Sequence, residues 1–174
     1  MFDKQYVFRG THEKKVRELI APLDDKKTQI FESAYRVYML APIVGYLLNT
    51  QGVRDNTGQG FNIFPEQIFN VRDDLLFTYR LIMLLDKKYE PDFEKRVNKA
   101  FRDYGSDKAT ADMEHFDSYV LGGVDKLHEK IMADAQKPED YLRNFYNFME
   151  EIDMLYIREI STEDIKDLCR LAKV

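Results

Sequence analysis

One segment, from Thr28 to Leu48, constrains the fold of this chain more than any other feature. Its apolar residues recur every three or four positions, at Ile30, Ala34, Val37, Ala41, Val44 and Leu48. That spacing places them on one face of an α-helix, and further apolar residues beside them indicate that most sides of the helix are covered. We therefore predict that a helix over 28–48 is the main core element.

The same spacing recurs through most of the chain. It predicts further helices over about 12–21, 65–69, 75–88, 91–105, 106–134 and 138–155, and the helix over 106–134 is expected to be interrupted at Gly122-Gly123. A capping sequence, Ser161-Thr162-Glu163-Asp164, predicts an appended C-terminal helix over 161–174. The stretch from Gln5 to Phe8 is the only one that resembles a strand. The sequence thus predicts a mainly α, single compact domain over residues 1–174, with six to eight helices and at most one short N-terminal strand.

A polar loop separates the long early helix from the elements that follow. Residues 49–60 read Asn-Thr-Gln-Gly-Val-Arg-Asp-Asn-Thr-Gly-Gln-Gly and consist largely of turn-forming types. Its three glycines permit left-handed backbone conformations. We therefore predict a flexible glycine-rich loop over 49–60.

Composition limits the classes of protein to which the chain can belong. Its 174 residues include 26 Lys or Arg and 31 Asp or Glu, which gives a formal net charge of −5. With 44% hydrophobic residues the chain has enough apolar material for a folded core, and its acidic balance argues against indiscriminate polyanion binding. No apolar stretch approaches the ~20 residues of a membrane span, and the first residues lack the core of a signal peptide. We therefore expect a cytoplasmic protein with no membrane partner.

Four pieces of the sequence carry a resemblance to a known family. They are Tyr6-Val7-Phe8 with the charged helix that follows, the helix from Ile30-Phe31 to Gly45-Tyr46, the polar loop after it, and the segment from Phe116 to Leu127 with its Gly-Gly pair. In order and character these pieces resemble the small Dnd system-associated proteins, which are encoded beside bacterial DNA phosphorothioation genes. The resemblance implies an accessory role close to DNA modification and phage defence, and it brings no catalytic residue with it.

Two Asp-x-x-His units are the candidate metal ligands. Asp112 and His115 form one unit, and Asp125 and His128 form the other. Residues three apart share a helix face, so each unit could present a carboxylate and an imidazole together, as the Glu-x-x-His units of di-iron bundles do. Both units lie in one segment, and no other helix has an obvious inward Glu partner. Solvated surface residues are therefore the favoured interpretation, and we expect no cofactor.

Basic residues form a candidate nucleic-acid site. Arg54 on the glycine-rich loop, with Arg72 and Arg80 beyond it, could contact phosphates. A second basic cluster lies in the first helix: Lys14, Lys15 and Arg17. Acidic neighbours at positions 55, 73 and 74 would neutralise much of the field of the arginines, so a mixed-charge solvated surface is the favoured interpretation.

The remaining chemistry-bearing features point away from catalysis. A single cysteine, Cys169, excludes an internal disulfide framework, and its apolar neighbours favour a packed structural role over a nucleophilic one. Aromatic residues concentrated between Tyr141 and Tyr156 could mark a helix-mediated protein interface. We therefore predict a non-enzymatic accessory or adaptor protein that acts through protein contacts in a DNA-modification-linked phage-defence system. Direct DNA binding and a metal-dependent enzyme are the alternatives. The partner and the oligomeric state, including a homo-oligomer, stay open.

Overall fold

Two helices, α2 (Ala34–Leu47) and α6 (Thr110–Met132), pack against each other along the centre of the molecule. The computed structural model describes residues 2–156. Val37 and Ala41 of α2 and Phe116 and Val120 of α6 are completely buried between the helices and their neighbours. The long apolar stripe of the sequence therefore does form the main core element, as predicted.

The other elements surround this central pair. They are α1 (Gly10–Leu19), α3 (Pro65–Asn70), α4 (Arg72–Leu85), α5 (Phe93–Val97) and α7 (Pro138–Tyr156). A π-helical turn (Asn98–Arg102) continues α5, and a 3-10 turn (Asp107–Ala109) leads into α6. Within residues 2–156 there are seven α-helices, which confirms the predicted mainly α single domain. The predicted helix over 161–174, with Cys169, lies outside the described residues.

A close approach of two backbones holds α2 and α6 together. A Cβ atom added to Gly45 would lie 2.1 Å from the carbonyl oxygen of Tyr119, and one added to Gly123 would lie 1.8 Å from that of Ala41. Only glycine leaves room for such contacts. The predicted interruption at Gly122-Gly123 is wrong: α6 is continuous through both residues, because their missing side chains serve helix packing and no turn is made.

The start of α2 also differs from the prediction. The helix begins at Ala34, whereas a start at Thr28 was predicted. Asp24 accepts hydrogen bonds from the backbone N–H of Thr28 (2.8 Å) and from its hydroxyl (2.8 Å), and these bonds hold the preceding residues in a turn. Side chains that bond nearby backbone groups compete with helix formation, and the apolar spacing does not register this competition.

The structure has a second strand that the sequence analysis missed. Strand β1 (Tyr6–Phe8) pairs in antiparallel fashion with β2 (Phe61–Ile63), with Val7 opposite Asn62. Three residues are too few to show a reliable two-residue alternation. The pairing brings the end of the 49–60 loop back to the N-terminal segment.

Contacts along its length attach the 49–60 loop to the rest of the molecule. Gly52 donates its backbone N–H to the carbonyl oxygen of Ser118 in α6 (2.7 Å), and Gly60 donates its own to Glu13 of α1 (2.9 Å). Asp55 accepts a hydrogen bond from the backbone N–H of Thr11 in the first turn of α1 (3.1 Å). The flexibility of this loop stays a prediction. Its contacts place Arg54 over α6.

Candidate functional site

Arg54 and two groups far from it in the sequence meet at the middle of α6. Asp117 projects from α6 and is 9% exposed. Arg54 donates to one oxygen of this carboxylate through Nη2 (2.6 Å) and through Nε (3.2 Å). The hydroxyl of Tyr6, from β1, donates to the other oxygen. Loop, strand and helix thus converge on one buried carboxylate.

A cavity of about 560 Å³ opens beside this cluster. Its apolar wall includes Phe2, Ile68 and Met113, and its polar lining includes Tyr6, Tyr38, Arg54, Glu114 and Asp117. A smaller cavity of about 240 Å³ lies on the other side and shares Arg54, Glu114 and Asp117 with it. The larger cavity is within the size range of small-molecule sites.

The two tyrosines of this cavity are held in their protonated form. Burial raises the pKa of Tyr6 well above its ordinary value, and the adjacent negative charge of Asp117 raises it further. Burial likewise raises the pKa of Tyr38, with Asp117 adding to the effect. Both hydroxyl groups therefore keep their hydrogen at neutral pH, and Tyr6 donates its own to Asp117.

The structure does not bring the three predicted arginines together through a common contact among the described residues. Arg54 is paired with Asp117. Arg80 places its guanidinium 5.2 Å from the ring centroid of Phe101, and Arg72 is half-buried at the first residue of α4. In the second basic cluster, Lys15 binds Asp125 and Arg17 binds Glu13, while Lys14 is exposed.

In the first Asp-x-x-His unit, Asp112 and His115 each bind other residues of the protein. Asp112 is 1% exposed and accepts from Lys99 Nζ (2.6 Å) and from the hydroxyl of Tyr89 (2.7 Å). His115 places Nε2 at 2.8 Å from Asp86, and its ring stacks on Tyr89 with centroids 3.7 Å apart. This unit belongs to a buried polar network that joins α6 to the end of α4 and to the π-helical turn.

In the second unit, Asp125 and His128 likewise bind different residues. Asp125 lies 3.2 Å from Nε2 of His12 and 2.8 Å from Nζ of Lys15, both on α1. His128 pairs with Glu18 of the same helix (2.5 Å). Neither unit directs its Asp and His at one point. Within residues 2–156, no group of three or more His, Cys, Asp or Glu side chains is placed to hold a metal ion.

Sequence reasoning found Arg54 and missed the three residues that complete its surroundings, Asp117, Tyr6 and Tyr38. A signal for Asp117 was present, because it lies four residues from Met113 and four from Leu121, on an apolar stripe of α6. A carboxylate in such a stripe needs a partner when it is buried. Tyr38 is indistinguishable by spacing from an ordinary core aromatic residue.

An apolar groove on the opposite flank of α2 is the other notable surface. It has a volume of about 640 Å³ and lies between α2 and α4. Its apolar lining residues are Ile30, Phe31, Met39, Leu40, Ile43, Leu75 and Phe77. Glu32, Arg36 and Asp74 add charges of both signs to its edge.

The predicted aromatic interface maps to α7. On this helix Leu142, Tyr146 and Met149 follow one another at intervals of four and three residues and are all exposed. Phe148 of the same helix is buried, and Phe145 packs edge-on against Phe31 at 6.2 Å between ring centroids. A role for α7 in binding a protein stays a prediction.

Comparisons with known proteins do not assign this site. In the part of the chain that the structure describes, no helix combines the length and the apolar character needed to cross a bilayer. No protein-family model, no curated protein and no solved structure matches the chain.

Proposed function

We propose that this protein is a non-enzymatic adaptor that binds an amphipathic helix of a partner protein in the groove between α2 and α4. The observation that carries the proposal is the exposed apolar surface there. Phe77 is 66% exposed and Ile43 is 38% exposed, although both side chains line the groove. Contiguous apolar surface of this kind, edged by polar residues, is typical of protein-interaction sites.

The shape of the apolar surface favours a helical ligand. Phe77, Leu81 and Leu85 are spaced four residues apart on α4, and all three are exposed. They form a stripe about 12 Å long at the 1.5 Å rise of an α-helix. A partner helix with apolar residues every three or four positions matches such a stripe and groove. The charges at the groove edge, of both signs, suit a helix with a mixed-charge polar face.

The internal pairing of the polar candidates supports a binding role. Arg54, Asp112 and His115 all take part in hydrogen bonds or ion pairs within the protein. A metal ion that used Asp112 or His115 would first have to replace these partners, and breaking a buried pair is costly. The exposed apolar side chains of the groove, Phe77 and Ile43, have no hydrogen bond or ion pair that a partner would have to replace.

The resemblance supplies the biological context of this proposal. On its basis, we place the adaptor in a DNA-modification-linked phage-defence system and expect its partner to be another protein of that system. The context and the groove are separate parts of the proposal, because one derives from the order of sequence motifs and the other from exposed side chains.

A charge introduced into the groove tests the proposal. We expect Phe77→Asp to abolish co-purification of the defence-system partner from the native host, because a carboxylate would have to be buried against apolar side chains. The matched control is Phe69→Asp, since Phe69 is also 66% exposed but lies on α3 outside the groove. Equal recovery of the partner by both variants would refute the groove. Recovery of no defence-system protein by the unaltered chain would refute the context.

A further inference from the structure

We propose that the cavity beside Asp117 binds a small apolar α-amino acid, with Arg54 and Tyr38 holding its carboxylate and Glu114 its ammonium group. This proposal is independent of the adaptor function, because the cavity and the groove are formed by different faces of α2. Tyr38 lines the cavity, and the next residue, Met39, lines the groove.

Arg54 is oriented to receive a carboxylate. Asp117 engages Nε and Nη2 of its guanidinium, which fixes the plane of the group and leaves Nη1 outside the ion pair. The Arg54 side chain is 59% exposed and lines both cavities. A guanidinium has five N–H donors in a fixed arrangement that suits carboxylate oxygens, so a pinned arginine can bind a second carboxylate with its remaining donors.

Tyr38 supplies a second donor. The residue is 2% exposed, lines the cavity, and packs against the ring of Tyr6 at an interplanar angle of 32°, with ring centroids 4.3 Å apart. Its hydroxyl group has no hydrogen-bond partner among the described residues, whereas the hydroxyl of Tyr6 is bonded to Asp117. Because Tyr38 lines the cavity, this hydroxyl group can donate its hydrogen to a ligand oxygen that enters there.

Glu114 defines the other end of the ligand. It lies three residues before Asp117 on α6, so the two carboxylates share a face of that helix. Glu114 is exposed and forms no ion pair within the described residues. When Arg54 binds the carboxylate of an amino acid, the ammonium group of that ligand can therefore bind the carboxylate of Glu114, one helical turn from Asp117.

The charges of the lining favour a zwitterion over a simple anion. The cavity is lined by two cationic residues, Lys4 and Arg54, against three carboxylates, Asp3, Glu114 and Asp117. A phosphate dianion would add to this negative excess, whereas an amino acid brings one charge of each sign. The apolar wall of Phe2, Ile68 and Met113 suits a hydrocarbon or aromatic side chain.

The test uses L-leucine and L-phenylalanine as probes, measured by NMR titration of the full chain. We expect dissociation constants in the millimolar range or below for both, and at least tenfold weaker binding of leucinamide and of N-acetyl-leucine, each of which lacks one of the two charges. Tyr38→Phe should weaken L-leucine about tenfold, and Glu114→Gln should weaken L-leucine while leaving N-acetyl-leucine unchanged.

The control variant is Tyr35→Phe, which removes a hydroxyl from the same helix outside the cavity and should leave binding unchanged. Absence of any shift with either amino acid would overturn the proposal, and so would equal binding of leucinamide or an unaltered affinity in Tyr38→Phe. These results do not depend on Phe77, so they are distinguishable from failure of the adaptor proposal.

Discussion

At the scale of single residues, the identity of a residue's spatial partners decides its role more than its neighbours in sequence do. Asp112 and His115 have the spacing of a metal-binding pair. In the structure, however, Asp112 accepts hydrogen bonds from Lys99 and Tyr89, and His115 is bonded to Asp86. Spacing within one helix tells which side chains share a face. It does not tell which elements of the fold cover that face, so the sequence favoured solvated surface residues where the structure has Asp112 in a buried network.

The glycines of the central helices give a prediction at this scale. Gly123→Ala should destabilise the protein by about 3 kcal/mol, because the new methyl group would collide with a backbone carbonyl that cannot move aside. Helix propensity alone would predict the opposite, a gain of roughly 1 kcal/mol. Urea unfolding measures the difference, with Glu129→Ala at an exposed site of the same helix as control. A stability equal to or above that of the unaltered protein would contradict the close contact of α2 and α6.

At the scale of elements, apolar spacing predicted the helices well and their boundaries less well. The stripes of α4, α6 and α7 were identified, because each has a buried face that needs apolar residues at a period near 3.6. The start of α2 was missed because Asp24 binds the backbone ahead of it, and β2 was missed because it is only three residues long. A hydrogen bond between a side chain and a backbone group four residues away leaves no periodic trace in the sequence.

Asp55 gives a prediction for the junction of the 49–60 loop and α1. Its carboxylate accepts from the backbone N–H of Thr11 and from that of Thr57 (2.9 Å), so it caps the start of α1 from a distant loop. We expect Asp55→Ala to speed amide hydrogen exchange in the first turn of α1 and in the loop. Asp25→Ala, at an exposed position, serves as the control. Unchanged exchange at Thr11 would show that the cap is dispensable.

At the scale of the whole molecule, buried carboxylates connect α6 to the helices around it. Asp86 accepts hydrogen bonds from His115 (2.8 Å) and from Tyr119 (2.7 Å), and Asp125 joins α6 to α1. Burial by itself would raise the pKa of each carboxyl group, but the hydrogen bonds outweigh it. The result is a pKa below the ordinary value of 3.8 for both Asp86 and Asp125.

The pH dependence of stability follows from these two groups. A carboxyl group whose pKa is lower in the folded state than in the unfolded state stabilises the fold above its unfolded pKa, and this contribution is lost as the pH falls through the folded value. We expect the urea midpoint to decrease below about pH 4. Asp86→Asn with Asp125→Asn should lower the midpoint at neutral pH and flatten its decrease in acid. The control pair is Asp25→Asn with Asp153→Asn, and an acid profile identical in both double variants would rule out this origin.

The contact between α2 and α6 has a consequence for how the cavity can accommodate different guests. Tyr38 lies on α2 and Asp117 on α6. The main chains of these two helices are in direct contact at Gly45 and Gly123, so neither helix can move without the other. Whatever adjusts to a larger ligand must therefore belong to the rest of the lining, which includes residues 2–6, Arg54, Ile68 and the turn over 105–109. Those surrounding segments would then determine which ligand sizes the cavity accepts. Tyr38 of α2 and Asp117 of α6 would determine its chemical selectivity.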